Sequence, residues 1–382
     1  MLQENNKQAV SSPGGRPRPV LMIPLRRCGS HALRLRLNFN PEFYAPYPLH
    51  IVDFMPLVEL YGDLRDDRAY FQMVVDVIGL QTASMVKWTD ITFDPEEIFD
   101  ALKEEPRSVH RVVWELLFRA GAKRGARVVM DKSLDSVHYA EELMALFDDI
   151  LFLNVVRDPR AQISSMNKAI IHDFDTRLNA VTWVKAYETG RKIADAHPDR
   201  VLTIRYEDFV SNQEAVLRKI CAFLGIRFFS SMLDVSRSDE ARKIAGLSAL
   251  WESNAKAPIA ANVDKFRKNL APAEIAEIEA LAGEYMDYYG YERMARGARG
   301  GALVSVNPRV LAEIRGRSET NKQKAWAELR EKNFRDYELR RFRADYLRMV
   351  RERLLEERWN GQGLRAAPSR EDRSAVVHAG KD

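Results

Sequence analysis

The sequence predicts an α/β fold, a parallel sheet flanked by helices on both faces, with a C-terminal helical extension. Three observations carry that expectation. Short apolar runs alternate with helix-like segments from residue 20 to residue 290, as in a parallel sheet whose crossovers are helices. Residues 149–156 form an almost unbroken apolar run, as a strand buried on both faces requires. Residues 20–23 are apolar, and the chain then passes Pro24 and a basic turn before a helix-like stretch opens at His31.

Taken in order, residues 1–19 are polar and read as a disordered leader, neither signal peptide nor membrane anchor. The first helix should open near His31 and stop before Pro41. Residues 44–50 hold prolines and aromatics that cannot continue it, so they read as loop. Residues 57–80 read as one helix of mixed charge, 95–122 as two shorter ones, and 127–132 as a buried strand. After the strand at 149–156, a helix with proline in its first turn spans 159–169. Helices at 182–197, 212–224 and 272–289 follow, the last two closed by Gly225 and Gly290, with a strand at 201–205.

Residues 20–293 are thus read as one domain and 294–319 as a linker, opening in Gly, Arg and Ala. Residues 320–359 read as a long amphipathic helix or helix pair, with Trp326, Leu329, Phe334, Phe342, Tyr346, Val350 and Leu354 at helical spacing. That face is expected to pack on the rest of the chain or on a second copy in a homodimer. Peripheral contact with a membrane surface or an acidic partner is the alternative. Residues 360–382 read as a disordered tail.

Composition excludes some functions. Lys and Arg number 59 against 55 Asp and Glu, and a net charge of +4 is too small for a general nucleic-acid binder. The two cysteines, Cys28 and Cys221, make neither a disulfide framework nor a metal cluster, which suits a reducing, cytoplasmic setting.

The turn Arg26-Arg27-Cys28-Gly29-Ser30-His31-Ala32 is, in physical terms, an anion site. First-turn N–H groups and the positive end of the helix converge on one small volume. Gly29 lets the backbone approach a ligand, Ser30 offers a hydroxyl, and Arg26 and Arg27 supply permanent charge. The junction makes the sheet P-loop-like, but without G-x-x-x-x-G-K-[ST] a nucleotide-triphosphate reading is weakened. The strand at 149–156 ends in Arg157, a planar cation that can fork onto phosphate oxygens, and Ser165 lies two helical turns on. Ligands of such sheets sit beyond the carboxyl ends of the strands, where both basic turns fall. A cation with no obvious metal ligand suggests recognition of a phosphate that is not itself transferred.

These two turns, Tyr206-Glu207-Asp208 after a strand, and Phe266-Arg267-Lys268-Asn269-Leu270 before Ala271-Pro272-Ala273-Glu274 together resemble a sulfotransferase, across residues 20–292. Val155-Val156-Arg157-Asp158-Pro159-Arg160-Ala161 and Met130-Asp131-Lys132-Ser133 are similar to the tyrosylprotein and glycan-type branches. The resemblance implies 3′-phosphoadenosine 5′-phosphosulfate as donor, with no metal required. It implies that Arg26, Arg27, Cys28, Gly29, Ser30, His31 and Ala32 grip the 5′-phosphosulfate, and that Arg157 and Ser165 hold the 3′-phosphate. Tyr206 would lie against or hydrogen-bond the adenine, and Lys132 would reach the sulfate and the bridging oxygen. Lys265, Arg267 or Lys268 would close over the cofactor. Cys28 departs from the family's Ser or Gly and raises the question of oxidation.

Sulfuryl transfer is an in-line displacement at sulfur, so it needs a base on one side and cations on the other. Arg27 and Lys132 are the expected cations. The family places a Glu or His in the loop after the first helix, and here that loop offers His50 and Asp53. An imidazole pKa near about 6.5 makes His50 the expected base, with Asp53 and Glu59 as alternatives. Trp88, Trp114, Trp183 and Trp251 read as core or pocket wall. His110, His138, His172 and His197 lack metal-ligand spacing and read as surface, and Ser253 lies near the closest branch's active-site serine. The expected acceptor is a glycan or lipid-linked sugar hydroxyl, ahead of a tyrosine or small phenol. A P-loop-type kinase and a non-catalytic nucleotide-binding scaffold are the rivals.

Overall fold

The computed structural model describes residues 15–256, 262–294 and 308–361. The tail reading and most of the leader reading therefore lie outside the described residues. The chain divides into two compact units, Met1–Pro48 with Leu117–Glu338, and Leu49–Leu116 with Leu339–Asp382.

In chain order, β1 (Arg18–Ile23) runs into α1 (Ser30–Leu37), followed by β2 (Phe43–Tyr44). Then come α2 (Met55–Val58), α3 (Asp67–Thr82), α4 (Pro95–Leu102) and α5 (Val109–Lys123), ahead of β3 (Val128–Asp131). α6 (Ala140–Leu146) leads to β4 (Leu151–Val156), α7 (Pro159–Met166) and α8 (Thr176–Ala196). β5 (Val201–Arg205) passes directly into α9 (Tyr206–Ser211) and α10 (Gln213–Leu224). α11 (Asp239–Leu247), α12 (Phe266–Asn269), α13 (Pro272–Tyr289), α14 (Pro308–Lys332) and α15 (Phe334–Gly361) complete the described chain.

The first unit is built on a five-stranded sheet of order β2-β3-β1-β4-β5, with every pairing parallel and helices on both faces. Val20 to Ile23 are wholly buried, because β1 is the central strand and both its faces are covered. From β1 the chain moves toward the β2 edge, and from β4 toward the β5 edge. The carboxyl ends of β1 and β4 therefore flank the point where the connections diverge, the place where such sheets bind ligands.

The second unit has its own core. Tyr70, Met73, Val74 and Val77 of α3 are wholly buried, as is Val350 of α15. Asp76, at 2 % exposure, accepts from Tyr61 OH at 2.6 Å and is ion-paired with Arg353. A buried carboxylate so held is tolerable because a cation and a hydroxyl share it. Residue 79 is glycine because the Tyr346 ring occupies the space that a Cβ would take.

Several boundaries differ from the sequence reading. β1 opens at Arg18, inside the stretch read as leader. Residues 57–80 are not one helix, since Gly62, at φ +78°, stops a short turn and Asp66 caps α3 afresh through Arg68 and Ala69. α8 begins at Thr176, six residues early, because Asp175 caps it. The stretch read as linker is helical from Pro308, and the helix pair breaks at Asn333.

Candidate functional site

The turn after β1 uses backbone conformations that most residues avoid. Arg27 has φ +73° and Gly29 φ +90°, both left-handed. No side chain caps α1 and no acidic residue lies in its first turn. Glycine is required at 29 twice over: for its φ, and because a Cβ there would sit on the Tyr206 ring. Ser30 opens α1 and is buried, Ala32 packs on the core, and His31 stacks on Tyr47 at 5.6 Å with Trp251 edge-on at 6.0 Å.

Gln162 of α7, wholly buried, holds this turn from behind. Its Nε2 donates to the carbonyl oxygens of Arg26 at 2.8 Å and Leu25 at 3.3 Å. Its Oε1 accepts from Trp183 Nε1 at 3.1 Å and Tyr187 OH at 2.6 Å. Carbonyls satisfied in the interior leave the other side of the turn for an anion. Sequence reasoning missed Gln162, and no pattern could have marked it, since an amide early in a helix looks like surface.

The turn after β4 meets the same place. Arg157 N donates to Tyr187 OH at 2.9 Å, so one buried network serves both turns. Arg157 Nη1 donates to the carbonyl of Arg27 at 2.9 Å and Nη2 to that of Asn262 at 3.2 Å. Its guanidinium carbon lies 4.5 Å from the Tyr206 ring centre, and its Nε is buried with no hydrogen-bond partner. Arg27 Nε donates to Ser165 Oγ at 3.1 Å. The resemblance sends Arg27 and Ser165 to opposite ends of the donor, whereas here they hold each other. Arg26 is ion-paired with Asp135. Asp158 is engaged by Arg160, whose Nη1 reaches Glu279 Oε1 at 2.6 Å, a buried triad that anchors α7 to α13.

Lys132 follows β3 on the other side of β1 and is 2 % exposed. Burial, then the nearby Arg34, bring its ammonium down to about 7, against which Cys28 acts. Cys28 is wholly buried and burial pushes its thiol up to about 11. A protonated, enclosed thiol is inert, which answers the question of oxidation.

The structure thus brings together Arg26, Arg27, Cys28, Gly29, Ser30, Lys132, Arg157, Ser165 and Tyr206. Lys265, Arg267 and Lys268 are exposed, Arg267 donating to Asp264 at 3.2 Å, and their loop meets Arg157 through the carbonyl of Asn262. Residues 257–261 and the side chain of Ser253 lie outside the described residues. His50, Asp53 and Glu59 belong to the second unit. There Arg343 Nη2 donates to the carbonyls of Leu49 at 2.7 Å and His50 at 3.2 Å and to Asp53 Oδ2 at 3.1 Å. Glu59 is exposed.

Two histidines are not surface groups as the sequence suggested. His110 is 2 % exposed and burial lowers its imidazole to about 4. His172 has a buried Nε2, and burial followed by Arg26, Arg27 and Lys322 holds its imidazole well below the ordinary range.

Comparison with known proteins adds three findings. The family model described as "Sulfotransferase family" matches residues 19–230. Two curated proteins called omega-hydroxy-beta-dihydromenaquinone-9 sulfotransferase Stf3, from Mycobacterium bovis and Mycobacterium tuberculosis, are 26% identical over 216 residues, 52% of this chain and 50% of theirs. The chain spans about half the length of these curated relatives. The solved sulfotransferase domain from the Synechococcus PCC 7002 olefin synthase superposes with a TM-score of 0.51 at 22% identity, covering 75% of this chain and 99% of that one, a likeness of fold.

Proposed function

The chain belongs to the sulfotransferase family, and from that premise we propose that it moves a sulfuryl group from 3′-phosphoadenosine 5′-phosphosulfate to a hydroxyl acceptor. One observation carries the reading: Arg157 and Arg27, from turns at the ends of adjacent strands, are joined by a hydrogen bond into one cationic site. Three features support the fit of a doubly anionic nucleotide. Arg157 Nε is buried with no partner, the start of α1 has no side-chain cap, and the buried Lys132 ammonium has no ion pair among the described residues.

In this reading the Arg26–Ala32 turn holds the 5′ end, and Arg157 with Ser165 the 3′-phosphate. Tyr206, its ring taken up by Gly29 and Arg157, offers its hydroxyl to the adenine, and one of Lys265, Arg267 and Lys268 closes over the nucleotide. The bound donor supplies a sulfuryl group activated by its phosphate leaving group. Arg27 and Lys132 hold the negative charge left on the nucleotide side. His50 takes the acceptor's proton, its loop fixed by Arg343.

The acceptor we favour is a glycan or lipid-linked sugar hydroxyl, with tyrosine or a small phenol second. The name of the mycobacterial relatives adds a hydroxylated menaquinone to the compounds worth trying. Among the described residues no helix is long and apolar enough to cross a membrane, and we take the setting to be cytoplasmic.

The test is a thermal-shift comparison of adenosine 3′,5′-bisphosphate with ATP and Mg²⁺, followed by an acceptor panel with labelled donor. Stabilisation by the bisphosphate without metal, and label on a hydroxyl acceptor, are expected. Stabilisation by ATP and Mg²⁺ alone would reverse the reading.

A further inference from the structure

Two carboxylates flank the buried Lys132 in the chain, and they are engaged differently. Asp131, the last residue of β3, accepts from Ser133 N at 2.9 Å and from Ser133 Oγ at 2.8 Å. Asp135, in the helical turn Leu134–Tyr139 that follows, is ion-paired with Arg26 instead. β3 lies beside β1 and runs parallel to it, so this segment meets the anion turn from the neighbouring strand end. Arg26 is thereby held twice, its carbonyl by Gln162 and its guanidinium by Asp135.

The pair sits where its charges count. The Arg26 and Asp135 side chains are only 20% and 17% exposed, so water screens them weakly. Asp135 Oδ1 is buried and has no hydrogen-bond partner among the described residues. The carboxylate is served through its other oxygen by Arg26, and its negative charge also acts on the Lys132 ammonium. A fixed anion beside an anion site opposes the ligand, and it occupies a cation that the ligand would otherwise take.

We propose that Asp135 is an internal counter-anion of the donor site, which keeps Arg26 from the nucleotide's 5′ end and so limits the hold on the spent bisphosphate. The inference rests on the sulfotransferase reading above. Sulfuryl transfer leaves added negative charge on the 5′-phosphate, and a turn with Arg26 released would grip that charge most tightly. With Arg26 engaged by Asp135, the product leaves faster, while Arg27, Arg157 and Lys132 remain for the donor.

Calorimetric titration of the full chain at pH 6, below the value of about 7 to which Lys132 is lowered, compares adenosine 3′,5′-bisphosphate with adenosine 3′-monophosphate. Asp135→Asn keeps the shape of the side chain and removes its charge. It should tighten the bisphosphate about tenfold and leave the 3′-monophosphate unchanged, and stopped flow should find the gain in slower dissociation. Asp135→Ser should do the same, and Asp135→Glu should match the parent. A merely structural role for Asp135 gives no gain in affinity on its removal. Bisphosphate binding that is unchanged or weaker in both uncharged variants, equal gains with both nucleotides, a gain confined to the association rate, or a gain in Asp135→Glu overturns the inference alone. A parent protein that binds neither nucleotide overturns the donor reading and this inference with it.

Discussion

The guanidinium of Arg157 donates to the carbonyl oxygen of Arg27 across 2.9 Å while its second terminal nitrogen reaches the carbonyl of Asn262 across 3.2 Å. One planar side chain therefore ties the turn after β1 to the loop before α12, and its Nε is left for a ligand. A lysine has the charge but not the fork, and it gives up the packing on Tyr206. Arg157→Lys should weaken adenosine 3′,5′-bisphosphate about tenfold, and Arg157→Ala about a hundredfold. Calorimetry decides: parent-like affinity in the lysine variant would mean that charge alone matters here.

Gly29 separates two effects that usually come together. Alanine at 29 must adopt φ +90° and must also push the Tyr206 ring aside. Gly29→Ala should lose roughly 1–3 kcal/mol of stability, measured by denaturant unfolding. Adding Tyr206→Ala should recover the part due to the ring and leave about 1 kcal/mol of backbone strain. A double variant whose losses simply add would refute the close approach.

Lys132 gives the site a pH dependence whose sign can be worked out. Its free ammonium is lowered to about 7 by burial, and a bound anion favours the protonated form. Binding above neutrality then takes up a proton, so bisphosphate affinity should fall as pH rises through about 7, approaching tenfold per unit. Ligand-free stability slopes the other way. Between about 7 and the ordinary 10.5 the unfolded chain holds the extra proton, so folding becomes more favourable as pH rises. Titrations across this range check both slopes, and Lys132→Arg should flatten the first. An affinity independent of pH in the parent would contradict the assignment.

What could be read from the residues, and what could not, divides along physical lines. Apolar runs and their stops are local, so β4, β5, the Gly225 and Gly290 closures and the two basic turns were legible. β2 is two residues, too short for any period to show, and fell within or beside a stretch read as loop. The early start of α8 and the break at Gly62 depended on caps by Asp175 and Asp66 that compete with an otherwise continuous pattern. The second unit joins residues 49–116 to 339 onward, an association of distant segments that no local pattern announces. Within the site, cations and glycine were legible because their chemistry is rare. The proposed partnerships of donor ends did not anticipate Arg27 on Ser165, since eight-residue spacing places Ser165 by Arg157 but says nothing of the opposite turn.

His50 and Arg343 yield a prediction that separates chemistry from donor binding. His50→Ala should reduce turnover about a hundredfold or more and leave bisphosphate affinity unchanged. Arg343 donates to the carbonyls of Leu49 and His50, so Arg343→Gln should slow turnover through a looser loop, about tenfold, again with intact affinity. Single-turnover rates read beside calorimetry check both. Full activity in His50→Ala would pass the role to Asp53 or Glu59.

Gln162 tests whether the anion turn is shaped from inside. Its amide nitrogen holds the carbonyls of Leu25 and Arg26 while its amide oxygen accepts from Trp183 and Tyr187. Gln162→Glu keeps the acceptor and removes the donors, which orphans two carbonyls beside a buried charge. Gln162→Leu orphans the Trp183 and Tyr187 donors as well. Each should lower stability by roughly 2–4 kcal/mol. Stability alone would describe any buried amide, so affinity is the discriminating measurement. Carbonyls released from Gln162 are free to rotate toward the anion and repel it, and bisphosphate affinity should therefore drop about tenfold in Gln162→Glu at temperatures where the variant is fully folded. If affinity holds while stability falls, the turn keeps its shape through Gly29 and Arg157 alone, and Gln162 serves only the packing between α7 and α8.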